Sequence, residues 1–565
     1  METALSPLDF MRRSRKLYPD REAVVDGELR MSYAEFFARC DRWSAALARL
    51  GVGKGDRVAT LAPNTHQHLE QFYAVPQLGA VLVPLNYRLV AEDFVYLANH
   101  SGTKVLCVHG EYLDVIDGVR DRMTSVEHFV SLEGRKPGWL EYEPLLAEGD
   151  GAFVRPEIDE LDPLTINYTS GTTSKPKGVV ITHRNAWVNA VGTLVHLPMT
   201  PADRYLWTLP MFHANGWTFT WIVSAVGGTH VCLRQVDASA VYRTVRAERI
   251  STLCAAPTVL IGIANGPAAE RRDLPGGVRV ITAGAPPAAA TIERMESELG
   301  WTVTQVYGLT ETSPLISICE PRPEHASLSV AERARIKARQ GVDLVTSGDL
   351  RVVDETMNDV PHDGQTLGEI VARGNVVMQG YYNDPEATAT AFRGGYFHTG
   401  DAAVVHPDGY VEIRDRYKDV IISGGENISS IEVEGALLAH PDVLEVAVVG
   451  MSHEKWGESP HAFVVLKTGK SLTSDDLRQY ARGVLAHFKV PTVFTFVDSL
   501  PKTATGKIQK YVLRGGKAAI ARQERRVSAE ASRAGVGLAR RRRDASCTQY
   551  LGIRSPGCAR KCLIR

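Results

Sequence analysis

The stretch Leu164-Thr165-Ile166-Asn167-Tyr168-Thr169-Ser170-Gly171-Thr172-Thr173-Ser174-Lys175-Pro176-Lys177-Gly178-Val179-Val180-Ile181 sets the frame for the rest of the chain. One apolar run leads into it and another leads out, so it reads as strand, loop, strand. The loop gathers hydroxyls, two glycines and two lysines. Small residues let backbone N–H groups close on an anion, hydroxyls add donors, and lysine supplies countercharge. A polyphosphate is the guest that suits it. It is not a Walker loop, which needs G-x-x-x-x-G-K-[ST] running into a helix. Composition alone leaves a flexible polar hairpin as the alternative.

Outward from this loop the chain alternates between helix and strand. Ser32 is placed to cap a helix ending near Leu50, with Gly51 as its stop. A strand over Arg57–Leu61, a helix after Asn64 ending near Gly79 and a strand over Val81–Val83 follow. The middle repeats the rhythm. Strands are expected at 230–233, 251–255, 278–282 and 302–306, and helices at 239–249, from Pro257, and at 288–299. This is the pattern of parallel α/β sheets. Ligands of such sheets bind outside the carboxyl ends of the strands. The loops at Pro257, at Ala283-Gly284-Ala285 and at Tyr307–Glu311 should therefore converge. Residues 341–411 become β- and turn-rich, and a small α+β unit follows from about Asp415. The expected organisation is a large N-terminal domain over 1–414, a small mobile domain over 415–520, and a tail over 521–565.

Composition bounds the classes. At 565 residues, 44% apolar and 23% charged, the chain is globular rather than disordered or coiled coil. Its 64 basic and 65 acidic residues exclude a globally basic nucleic-acid binder. The tail has eleven Arg and one Lys against two Glu and one Asp, a net +9, and reads as disordered. It could contact nucleic acid weakly. Its three cysteines, Cys547, Cys558 and Cys562, lack the paired spacing of a zinc site. The other five, Cys40, Cys107, Cys232, Cys254 and Cys319, read as buried reduced thiols. No stretch is long and apolar enough to span a membrane, and no secretory signal is apparent. The cytoplasm is the expected compartment.

Five segments stand in order along the chain: the Thr169–Lys177 loop, Tyr307-Gly308-Leu309-Thr310-Glu311-Thr312, Tyr396-Phe397-His398-Thr399-Gly400-Asp401, Asp415-Arg416-Tyr417-Lys418-Asp419, and Pro501-Lys502-Thr503-Ala504-Thr505-Gly506-Lys507. Each alone is weak: a Gly-Asp pair is usually a turn, and a Lys after Thr-Gly is usually solvated. In this order, over residues 10 to 520, they resemble the adenylate-forming superfamily, and within it the acyl-CoA synthetases.

The resemblance implies an acid–thiol ligase that makes an acyl-adenylate from a carboxylic acid and ATP and passes the acyl group to CoA. Thr169, Ser170, Gly171, Thr172, Thr173 and Lys177 would hold the β- and γ-phosphates. Glu311 would position Mg²⁺, and Thr310 would donate to the α-phosphate. Tyr307 would stack on adenine beside Gly284 and Ala285. Asp401 would accept from the ribose hydroxyls, with Arg416 adding a contact. Lys507 would bridge the attacking carboxylate and the α-phosphate. The small domain would then turn about Asp415, bringing the loop with Gly424 and Gly425 against CoA. Pro210–Trp217 resembles the segment before the acid pocket, with His213 steering or gating the carboxylate and Trp217 and Trp221 narrowing the space. The acid would be a medium- or short-chain fatty acid. An aryl acid, or a carrier-protein phosphopantetheine as acceptor, is the alternative. A homodimer is possible.

Overall fold

The computed structural model describes residues 2–169, 176–417, 419–424, 426–502 and 507–515. Ser170, Gly171, Thr172, Thr173, Gly425 and the 521–565 tail lie outside the described residues.

The α/β rhythm forms two large sheets. One runs in the order Val342–Asp343, Leu315–Ile318, Thr302–Gly308, Arg279–Thr282, Thr252–Ala255, Arg204–Trp207, Thr229–Cys232, Glu22–Asp26, Leu29–Ser32. Its six middle strands are parallel. The other has eight strands and includes Arg57–Leu61, Val81–Pro84 and Thr103–Val108, with the Pro163–Thr169/Lys177–Thr182 hairpin near one edge. That hairpin is the expected strand-loop-strand, closing with Thr169 opposite Lys177.

Local signals explain the helices. Ser32 caps Tyr33–Arg49 in a capping box with Glu35. Pro257 opens Pro257–Ala264 at the first position, where its missing N–H costs nothing. Gly300 ends Ala289–Leu299 at φ +66°, a left-handed stop that suits glycine. All five described cysteines are buried and free, and no described helix is long and apolar enough to cross a membrane.

A four-stranded antiparallel sheet, containing Phe397–Val405 and Val411–Arg416, follows. Beyond it, a five-stranded sheet packs against Ser430–Leu438 and Ser474–Val484 around Val433, Leu437, Val448 and Leu477. Asp415 falls inside strand Val411–Arg416, opposite Ala402, so the expected boundary lies within a paired strand.

Candidate active site

Four adjacent parallel strands bring their carboxyl ends side by side: Arg204–Trp207, Thr252–Ala255, Arg279–Thr282 and Thr302–Gly308. The loops at Pro257, Gly284 and Tyr307–Glu311 therefore meet as expected, and the His213 loop joins them. Gly284 has φ +90° and open space where a Cβ would stand, so backbone conformation rather than crowding calls for glycine. Gly308 is different: a Cβ there would overlap the Pro314 carbonyl oxygen at 1.7 Å.

Tyr307, Asp401 and Arg416 form one cluster, buried at Tyr307 and Asp401 and partly exposed at Arg416. Asp401 and Arg416 face each other across adjacent antiparallel strands, and Arg416 Nε pairs with Asp401 Oδ1 at 2.7 Å. Tyr307 Oη donates to Asp401 Oδ2 at 2.6 Å. Burial, then the Asp401 charge, pushes the Tyr307 phenol well above its ordinary range, so it remains a donor. A carboxylate offers about four lone-pair sites, and these two bonds leave room on Asp401 for further donors.

Glu311 sits in the turn Thr310–Thr312. Tyr381 Oη donates to Glu311 Oε1 at 3.0 Å, and Lys177 Nζ lies 4.8 Å from the centre of the Tyr381 ring. Burial raises the Glu311 carboxyl. A cation brought beside it would favour the charged form, and Mg²⁺ is commonly held by one or two carboxylates plus phosphate oxygens; among the described residues no group of three or more His, Cys, Asp or Glu makes a metal site by itself. Tyr381 escapes sequence reading. It arrives through a short strand, Gly380–Tyr381, paired with Val179–Val180 about two hundred residues earlier, and nothing in its local sequence marks it.

The His213 loop runs into five consecutive residues with positive φ, Ala214–Thr218. Left-handed backbone costs roughly 1–2 kcal/mol per L-residue, so such a turn needs support. Asn167 Nδ2 donates to the Phe212 carbonyl (3.1 Å) and to Asn215 Oδ1 (3.2 Å), and Asn215 Nδ2 donates to Thr165 Oγ1 (2.9 Å). Thr165 and Asn167 belong to the strand entering the Ser/Thr/Gly loop, so the two loops are tied together. A Cβ on Gly216 would come within 2.5 Å of the Trp207 ring. Trp207, Trp217 and Trp221 are buried here.

Lys507 comes from the C-terminal unit and lies near enough to His213 to act on its charge. Burial first, and the Lys507 ammonium second, push the imidazole down to about 4. At neutral pH His213 is therefore uncharged and can meet a carboxylate only through an N–H bond. His68 and His183, likewise buried, are pushed down to about 4, and His230 to about 3. An unfolded chain binds protons at these histidines near pH 6.5 while the native one does not. Their contribution to stability is whole above about pH 6.5 and is lost as pH falls toward 4. Glu311 and Glu434, raised by burial, act in the opposite sense. The four histidines outnumber them, and the melting temperature is expected to fall between about pH 7 and pH 4.5. A flat melting curve over that range would contradict this balance.

Gly424 adopts φ +61° and donates its N–H to the Trp456 carbonyl at 2.8 Å, and a Cβ there would approach the Trp456 ring at 2.9 Å. Lys502 forms a bridge with Ile508, framing the segment that carries Lys507.

The described residues thus bring a tyrosine–carboxylate–guanidinium cluster to the end of a parallel strand, with a lysine of the C-terminal unit in electrostatic reach of the neighbouring His213 loop. The AMP-binding enzyme family matches residues 11–382, and the AMP-binding enzyme C-terminal domain matches 432–507. A 2-methylpropanoate–CoA ligase of Humulus lupulus is 44% identical over 529 residues, covering 90% of this chain and 94% of its own. A peroxisomal trans-cinnamate:CoA ligase of Petunia hybrida is 40% identical over 533 residues, covering 90% and 93%. ATP-bound MatB from Rhodopseudomonas palustris superposes with a TM-score of 0.79 at 27% identity, covering 90% of this chain and 98% of its own. This chain belongs to the AMP-binding enzyme family.

Proposed function

We propose that this chain is an ATP-dependent acid–CoA ligase, which forms acyl-CoA, AMP and diphosphate through an acyl-adenylate. The observation that carries the reading is the Tyr307–Asp401–Arg416 cluster at the end of the strand that also leads to Glu311, with Lys507 of the C-terminal unit within electrostatic reach of His213. In the first step a carboxylate oxygen attacks the α-phosphorus, a new O–P bond forms, and the bond to diphosphate breaks. Two anions must meet, so countercharge and fixed donors carry most of the catalysis. Lys507 supplies a mobile point charge between them. Thr310 donates to the α-phosphate, and Thr169, Ser170, Gly171, Thr172, Thr173 and Lys177 hold the rest of the chain of phosphates. Tyr307 offers its ring face to adenine beside Gly284 and Ala285, while Asp401 and Arg416 take the ribose. Glu311 would hold Mg²⁺, which neutralises phosphate charge when bound.

In the second step the CoA sulfur attacks the acyl carbon and AMP leaves. The units 1–414 and 415–520 turn about Asp415 between the steps, and Gly424 and Gly425 leave room for the pantetheine arm. His213 gates the acid pocket or donates an N–H to the carboxylate. A short- or medium-chain acid is proposed, supported by the tryptophans around the His213 loop and by the Humulus relative. The Petunia relative keeps an aryl acid in the test. The cytoplasm is the proposed compartment, in keeping with buried free thiols.

The test is AMP and diphosphate release from ATP over acetate, butanoate, 2-methylpropanoate, octanoate and cinnamate, with and without CoA. CoA-dependent AMP formation with a short-chain acid is expected. Exchange of pyrophosphate without turnover of CoA would move the acceptor to a carrier protein. No ATP turnover with any of these acids would refute the proposal.

A further inference from the structure

Helix Lys510–Arg514 begins three residues after Lys507 and is fastened at two points to the segment around Asp415. Lys510 Nζ pairs with Glu434 Oε1 at 2.8 Å and donates to Ser430 Oγ. Ser430 donates its own hydroxyl (2.5 Å) and backbone N–H (2.9 Å) to Asp415 Oδ2. Glu434 Oε1 also accepts from the Val448 N–H at 2.8 Å. One turn further along the helix, Arg514 pairs with Asp419 at 2.5 Å. The group is sheltered: Asp415 is buried, and the Lys510 and Glu434 side chains keep 15% and 19% exposure.

These contacts join two units. Asp415 belongs to a strand paired with Phe397–Val405, which fixes the direction of its side chain. Ser430 and Glu434 lie on the helix Ser430–Leu438 of the C-terminal unit, and Lys510 follows the lysine loop. The chain of bonds Asp415–Ser430–Lys510 therefore crosses the proposed turning point, and it is made while Lys507 lies within electrostatic reach of His213. A turn of the backbone at Asp415 carries Ser430 and Lys510 away from the strand that orients the carboxylate. The bonds then belong to one arrangement of the two units. They stabilise it because breaking them would strand sheltered charges. The Asp415 and Asp419 charges and Glu434 all favour the cationic form of Lys510.

We infer that Lys510 is a positioning residue which, through Ser430 and Asp415, holds the C-terminal unit in the arrangement that makes the acyl-adenylate. The inference rests on the ligase reading given above. Lys510 acts through Ser430, Glu434 and Asp415, and so sets where Lys507 stands. A displacement of about 1 Å in a reacting group can cost around a hundredfold in rate. The thioester-forming step, which uses a different arrangement, does not depend on the same bonds.

The test compares full-length wild type with Lys510→Met and Ser430→Ala in both half-reactions. Adenylation is read as butanoate-dependent ATP–pyrophosphate exchange. Thioester formation is read separately, from synthetic butanoyl-adenylate and CoA, so that it needs no prior adenylation. Lys510→Met is expected to lose about a hundredfold in exchange and to stay within about threefold of wild type in thioester formation. Ser430→Ala, which changes no charge, should shift the same ratio in the same direction by a smaller factor, and it decides the matter if Lys510→Met does not fold. Equal losses in both half-reactions would show a merely structural role and overturn the inference, as would an unchanged ratio in both variants. Wild type inactive in both assays would overturn the ligase reading, and the inference with it.

Discussion

Lys507→Ala is expected to lower acid-dependent ATP–pyrophosphate exchange by about 10²–10³-fold, the loss typical of removing one preorganised group that stabilises developing charge. Lys507 is exposed, and substitutions of exposed side chains usually change stability little, so the melting temperature should move far less than the activity. It is the cation that the C-terminal unit brings to His213. An uncharged His213 cannot replace it, because burial holds the imidazole neutral. Transfer of a ready-made acyl-adenylate to CoA should survive the change, since the charge is needed when two anions meet. Exchange within a few-fold of wild type would remove Lys507 from the adenylation step.

The second large effect is expected at Asp401. Its carboxylate is almost fully buried and holds Tyr307 and Arg416 at 2.6 and 2.7 Å. Asp401→Ala leaves a phenol without its acceptor and a guanidinium without its counterion. Removing one partner of a buried pair costs about 3–5 kcal/mol. The Arg416 side chain keeps 33% exposure, which places the loss near the lower end. Ribose loses a charged acceptor at the same time. A hydrogen bond to a charged group is worth about 1.5–3 kcal/mol, so the KM for ATP should rise at least about tenfold. Asp401→Asn keeps the shape and an acceptor for Tyr307, and should recover part of the stability with little of the ATP affinity. Thermal melts and ATP saturation curves separate the two effects. An unchanged KM would mean that ribose is held elsewhere.

The neighbours Asp415 and Arg416 show how far a linear reading reaches. Both stand in the segment Asp415–Asp419 that carries the family resemblance, and the sequence offers no way to tell their duties apart by contact. In the strand Val411–Arg416 successive side chains point to opposite faces. Arg416 consequently reaches Asp401 on one face, while Asp415 reaches Ser430 on the other. One residue joins the Tyr307–Asp401 cluster and the other meets the helix Ser430–Leu438, because of strand periodicity and register.

Residues read from local pattern fared differently from those read by contact. The capping box at Ser32, the proline at 257 and the glycine stop at 300 act within a few residues of themselves, and the helices they bound follow from sequence. Tyr381 has no local mark. It reaches Glu311 only because Gly380–Tyr381 adds a strand to the hairpin Pro163–Thr169/Lys177–Thr182. The asparagines Asn167 and Asn215 likewise carry no local mark, yet they support the left-handed turn after His213.

By itself the sequence determined the α/β alternation, the convergence of strand-end loops, and the ordered motifs that name the family, because these rest on periodicity and on short-range chemistry. The tertiary structure alone decided which groups meet: Tyr307 with Asp401, Glu311 with Tyr381, Lys510 with Glu434 and Ser430, and Lys507 within electrostatic reach of His213. Such pairings join residues up to hundreds of positions apart. Their energy depends on burial and on distances of a few ångströms, quantities that exist only once the sheets have set their register.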